Sequence, residues 1–179
     1  MRRRTRSVVV VLAALVGLAR PSAAATSAEL ERCAKGAETR AASFAKSVEQ
    51  IVLDCAVRVE RCTLGQEIDG DDPTACLAAA STSCTVGSTK LATLKTLTRA
   101  RMLGSCGGVP LADLNAYTAG LAFAPVSAAC GATTVDDLIA CLVDDTQCGA
   151  ERFVFTLDPR AQAALTTAGV AGAHPCVAP

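Results

Sequence analysis

From Glu29 onward, apolar and small residues recur at Leu30, Ala34, Ala37, Ala41, Phe44, Val48, Ile51, Cys55, Val59 and Cys62, in steps of three or four. That spacing predicts one long helix with a seam of nearly coiled-coil period, sustained for about nine turns. Lys35, Glu38, Lys46, Glu49 and Asp54 fall mostly outside the seam, and Glu31 with Lys35 and Asp54 with Arg58 stand in the i, i+4 order that suits a solvated face. Gly36 is the weak helix former of the stretch; it costs about 1 kcal/mol relative to alanine, which a tertiary contact can offset.

Residues 63–73 read as a turn, with Gly65, Gly70 and the acidic group Glu67, Asp69, Asp71 and Asp72. The group lacks the calcium-loop pattern, since no glycine stands sixth from Glu67 and the twelfth position is Ala78, without a carboxylate. Asp72-Pro73 instead marks a helix start, and Gly107, Gly108 and Pro110 mark its end. Inside this second helix, the Ser, Thr and Gly rich patch over 81–89 is expected to kink or fray it. Beyond it, residues 111–117 predict a short helix or turn, followed by an irregular crossover to Gly131. Thr133 or Thr134 with an acid three residues on starts a further helix, which Gly149 is expected to interrupt before Phe153 and Phe155. Asp158-Pro159 restarts a helix that Gly169 ends.

The cysteines add a third dimension to these segments. Cys33 to Cys55 and Cys84 to Cys106 each span 22 positions, while Cys55 to Cys62 and Cys76 to Cys84 span 7 and 8. Such mirrored spacing arises when two antiparallel helices of equal pitch lie side by side, so Cys33 pairs with Cys106, Cys55 with Cys84, and Cys62 with Cys76 as rungs. In that register Leu91 faces Val48, Leu94 faces Ala45, Thr98 faces Ala41 and Met102 faces Ala37, so small residues oppose larger ones. Rungs require close approach, and the alternation provides it. Cys130, Cys141, Cys148 and Cys176 remain, with three pairings open; Cys130 with Cys141 and Cys148 with Cys176 is the favoured one. The fold class is therefore all-α, a long disulfide-laddered antiparallel helical hairpin followed by a smaller disulfide-bonded helical C-terminal region.

The N-terminus changes where the chain is expected to work. Arg2, Arg3, Arg4 and Arg6 precede an uncharged run over 7–19 and then Ala23-Ala24-Ala25, the order of a secretory signal peptide cleaved after Ala25. The apolar run is too short to span a bilayer comfortably, and the arginine motif is too loose to single out the twin-arginine route. The expected organisation is a signal over 1–25, the hairpin over 26–108 and the C-terminal region over 109–179, with a secreted or periplasmic destination. Residues 1–25 hold five of the 17 basic residues and none of the 17 acidic ones, so the mature chain carries a net charge of −5. That leaves no electrostatic footprint for nucleic acid or anionic lipid. Ten cysteines beside no Trp, one Tyr and four Phe mean that disulfides supplement a core with few bulky residues.

Candidate chemistry is sparse. His174 is the one histidine, set in His174-Pro175-Cys176 near the end, and reads as a poor general base without orienting groups. Asp136-Asp137 and Asp144-Asp145 diverge by about 100° on a helix and suit its first turn or a solvated face better than a shared carboxylate site. No CxxC, phosphate-cradling glycine motif or dinucleotide fingerprint is present. No catalytic residue, cofactor or metal is expected. The leading expectation is an exported, non-catalytic, disulfide-stabilised protein with a structural role or a protein partner. The second is a carrier of an apolar small molecule, bound among Leu121, Phe123, Leu138, Leu142, Phe153 and Phe155. A thiol or metal enzyme comes third and would require unpaired cysteines.

In layout, the laddered stretch over 29–106, the block from Asp136-Asp137-Leu138 to Cys148, and Asp158-Pro159-Arg160 resemble uncharacterised cysteine-rich exported helical proteins of environmental bacteria. The resemblance implies export and helices and supplies no activity. Twin CX9C hairpins share the nested logic but not the spacings, and neither the adjacent cysteine pair of plant lipid-transfer proteins nor the saposin spacing is present.

Overall fold

A computed structural model of the chain describes residues 24–118 and 120–176; except for Ala24 and Ala25, the expected signal segment lies outside the described residues. Among the described residues the protein is all-α, with six α-helices, one 3-10 turn and no strand. Helix α1, Ser27–Asp69, opens on a capping box: Thr26 Oγ1 accepts the Glu29 N–H at 3.3 Å, and Glu29 Oε2 accepts the Thr26 N–H at 2.8 Å. It runs through the stretch expected to turn, past Gly65, and stops at Gly70, whose φ of 74° is left-handed. The connection is therefore only 70–73. Leu64, Gln66 and Glu67 favour helix enough to carry Gly65, whereas Gly70 takes the left-handed C-cap conformation.

Helix α2, Thr74–Cys106, returns antiparallel to α1. Asp72 Oδ1 accepts the Thr74 hydroxyl at 2.6 Å and the Thr74 N–H at 3.0 Å, and these bonds hold its carboxyl below the ordinary range. The helix is continuous through 81–89, without the expected fraying. The hydroxyls of Thr82, Thr85, Ser88 and Thr89 each donate to the carbonyl four residues earlier, so they are satisfied inside the helix.

Three disulfides join α1 to α2: Cys33–Cys106, Cys55–Cys84 and Cys62–Cys76, with Cα separations of 4.6, 5.1 and 5.6 Å. These are the three nested pairs of the mirrored spacing. With Cα atoms about 2.3 Å from each helix axis, these separations correspond to axes roughly 9–10 Å apart, so the rungs fit ordinary helix packing. Gly36 is the tertiary contact that the helix propensity called for: a Cβ there would lie 2.5 Å from Ser105 Oγ, next to the outermost rung. A Cβ at Gly87 would likewise lie 3.2 Å from Ile51 Cγ2.

The C-terminal region contributes α3 (Leu111–Asn115), α4 (Ala124–Cys130), α5 (Val135–Leu157), α6 (Ala161–Thr167) and a 3-10 turn, Ala171–Ala173. Thr134 and Asp137 form the capping box of α5, and the Thr134 and Thr133 hydroxyls hold the Asp137 carboxyl below its usual range. Gly149 does not interrupt α5. Burial of Leu138, Ile139, Val143, Ala150 and Val154 along that helix outweighs the glycine's cost of about 1 kcal/mol. Cys130–Cys141 staples α4 to α5, and Cys148–Cys176 staples the tail to α5. Val48, Val52 and Val59 of α1, Leu91 and Met102 of α2, Leu114 of α3, the α5 residues and Leu165 of α6 form one continuous core. At its edge Lys95 pairs with Asp144 at 2.6 Å and Arg99 grips Asp136 through two nitrogens, so Asp136, Asp137 and Asp144 serve as cap and ion pairs.

Where α1 meets the α5–α6 corner, Glu60 faces Asp158, and one Glu60 oxygen is buried without a hydrogen-bond partner. Burial, and then the Asp158 charge, push its carboxyl above the ordinary range. A raised folded-state value means that Glu60 favours folding when protonated, and that this contribution fades as pH rises through the folded value. Glu60→Gln is therefore expected to raise the melting temperature by about 1–2 °C at pH 7, a small gain because the site is partly open to water. Melting curves of both proteins from pH 4 to 8 check this: the advantage should shrink toward pH 4.

Candidate functional site

The small residues of the α1 seam leave a trough where α2 and α5 flank it. Ala34, Ala37, Glu38 and Ala41 of α1, Met102 of α2, Leu121 and Phe123 of the crossover, and Leu142 and Thr146 of α5 enclose a pocket of about 330 Å³. The crossover is pinned over it by the carbonyl of Leu114, which accepts the N–H groups of Leu121 at 3.3 Å and Phe123 at 3.0 Å. Between them Ala122 adopts φ 56°, a left-handed conformation that a non-glycine residue holds at a cost of about 1–2 kcal/mol. The strained residue sits between the two side chains that form one wall. Glu38 is exposed at the rim, and the Thr146 hydroxyl is occupied by the Leu142 carbonyl at 2.6 Å, so the interior is apolar.

Of the six residues the sequence nominated, Leu121, Phe123 and Leu142 line this pocket. The other three do not. Leu138 is fully buried in the shared core, Phe155 is half-buried against it, and Phe153 is 53% exposed. Because α5 continues through Gly149, Phe153 lies three turns, about 16 Å, beyond Leu142 along the same helix. The alanines of α1 were legible as a helix seam; their thinness opposite Met102 is what leaves the space.

A second cluster corrects the expectation for His174. Rather than standing without orienting groups, its ring is 1% exposed, with Nδ1 3.0 Å from Glu151 Oε1 and Nε2 3.5 Å from Ser88 Oγ. Glu151 is fully buried and accepts two further hydrogen bonds, from Gln147 Nε2 at 2.8 Å and from the Cys176 N–H at 3.2 Å. Gln147 also donates to the Ala173 carbonyl at 3.3 Å. The sequence did carry a signal for this cluster: Gln147 and Glu151 fall among Val143, Ala150 and Val154, on the buried face of α5, where polar residues require partners.

Neither a protein-family model, nor a curated protein, nor a solved structure matches the chain. Its class is defined by its own architecture: a disulfide-laddered all-α protein with all ten cysteines paired. Five disulfides are those of an oxidising environment, and among the described residues no single helix is long and apolar enough to cross a membrane.

Proposed function

We propose that this is an exported, disulfide-stapled helical binding protein that carries a small apolar molecule in the pocket between α1, α5 and the 121–123 crossover. The pocket carries the reading. Its size lies within the range of about 300–1,000 Å³ common for small-molecule sites, and its walls are apolar with a single carboxylate at the rim. Cys33–Cys106 lies beside Ala34 and Ala37, and Cys130–Cys141 beside Leu142, so two disulfides brace the walls. Export follows from the basic, apolar and small-residue order of residues 1–25, with release after Ala25. Cleavage there would leave Thr26 as the first residue and keep the capping box of α1.

A fluorescent fatty acid titrated into the mature protein should bind, and Ala41→Phe, which fills the pocket from its α1 wall, should weaken binding at least about tenfold. Equal binding by both proteins, or none by either, would remove the carrier reading. A second reading, an interaction scaffold, is favoured by the exposed apolar residues Leu53, Val57, Leu64 and Ile68 of α1 and Phe153 and Leu157 of α5. Absence of ligand binding would move that reading ahead.

A further inference from the structure

We propose that Ser88 is a nucleophilic serine, activated by His174 and positioned by Glu151, and that the open hollow beside it receives the acyl group of a small neutral ester. This goes beyond the carrier reading and uses none of the residues that line the apolar pocket.

The three side chains come from distant parts of the chain and form one line. Ser88 Oγ lies 3.5 Å from His174 Nε2, and His174 Nδ1 lies 3.0 Å from Glu151 Oε1. Glu151 is held by Gln147 and by the Cys176 N–H, and Cys176 is covalently tied to Cys148 one turn before Glu151 on α5. The His174 main-chain N–H is bonded to the Ala171 carbonyl at 3.0 Å, which anchors the backbone, while Glu151 orients the imidazole through Nδ1. With Nδ1–H donating to the carboxylate, Nε2 presents its lone pair to Ser88, the tautomer a general base requires. The Ser88 hydroxyl has a second acceptor, the Cys84 carbonyl at 3.1 Å. Its proton can turn from one acceptor to the other without movement of the oxygen. A separation of 3.5 Å is long for a hydrogen bond, but nucleophile–base contacts often tighten only when substrate is bound.

Access comes from one side. Ser88 is partly exposed and lines a hollow of about 440 Å³ with Thr85, Thr89, Gly169, Val170 and Gly172. Small side chains border it and no charged residue lines it, which favours a short, neutral acyl group.

In the first step Ser88 Oγ forms a bond to the ester carbonyl carbon while its proton passes to His174 Nε2. The tetrahedral intermediate collapses, the ester C–O bond breaks, and the Nε2 proton leaves on the alcohol. Water then attacks the acyl-serine, giving its proton to Nε2, and the carboxylic acid departs as Ser88 recovers a proton. No oxidant, metal or cofactor enters this balance.

The test uses the disulfide-intact mature protein with p-nitrophenyl acetate as substrate and a fluorophosphonate as covalent probe. The wild-type protein should release p-nitrophenol and acquire one phosphonyl adduct on the peptide containing Ser88. Ser88→Ala should lose the adduct and hydrolyse about 100-fold more slowly. His174→Gln should do the same, and Glu151→Asp should hydrolyse faster than Glu151→Gln at temperatures where melting curves show both fully folded, so that a difference in folding does not account for it. Should the variants at the two buried residues misfold, Ser88→Ala still decides the matter, because Ser88 is partly exposed and its loss leaves the His174–Glu151 pair in place. A wild-type protein without an adduct on Ser88, or a Ser88→Ala protein that hydrolyses at the wild-type rate, overturns the proposal.

Discussion

Replacing Cys33 and Cys106 together with alanine is expected to lower the melting temperature by about 10 °C. This rung spans 73 positions, but with Cys55–Cys84 intact the segment that it additionally closes consists of two arms of about 22 residues each. Chain entropy for a loop of that size corresponds to about 4 kcal/mol, and a protein of this length shifts by about 2–4 °C per kcal/mol. Both sulfurs are fully buried, so alanine also removes packed volume. The innermost rung, Cys62–Cys76, closes 14 positions, for about 3 kcal/mol by the same relation. Its removal should matter less, because it closes the shorter loop and lies at the last buried position of α1, beside the exposed end of the hairpin. Calorimetry of the two double variants checks the order. If the outer-rung variant melts with the wild type, the continuous core, and not the ladder, holds the two long helices together.

Glu151→Ala should be comparably severe, with a loss of about 3–5 kcal/mol. The carboxylate is the common acceptor for His174, Gln147 and the Cys176 amide, of which the first two are buried and the third is partly buried. Alanine would leave all three without that acceptor and open a cavity besides. Gln147 would keep only its 3.3 Å bond to the Ala173 carbonyl. Glu151→Gln should cost less, since the amide keeps one accepting oxygen while turning an unwanted donor toward groups that also donate. The loss should be local as well as global: amide exchange at Cys176 should rise before exchange in α1 and α2 does. An alanine variant with unchanged melting temperature and protected Cys176 would mean that water or a shifted side chain replaces the carboxylate without cost.

Much of the fold was legible because its cues are short-range or repetitive. Thr133 or Thr134 with an acid three residues on was readable from a few consecutive residues, and the structure uses Thr134 with Asp137. The errors share a cause. Gly65, the serine and threonine patch over 81–89, and Gly149 were each read as interruptions, yet α1, α2 and α5 run through them. Local propensities of about 1 kcal/mol per residue yield to the burial of a whole helix face. For the candidate pocket, Leu121, Phe123 and Leu142 were visible as an apolar group and line it, whereas Leu138, Phe153 and Phe155 lie outside its lining because the course of α5 decides which turn faces the trough.

By itself, the sequence determined that the chain is helical, that its first two helices run antiparallel, and which six cysteines join them. Equal helical pitch converts residue spacing directly into distance along the hairpin, so the mirrored cysteines could be paired without coordinates. Only the tertiary structure decided what lies next to what across the C-terminal region. Ser88, Glu151 and His174 are separated by 86 and 23 positions from their partners in the line, and no repeat or pitch relates them. Their meeting depends on how α5 packs on the hairpin and on where one disulfide returns the tail, a sum of many small burial terms that no local pattern encodes.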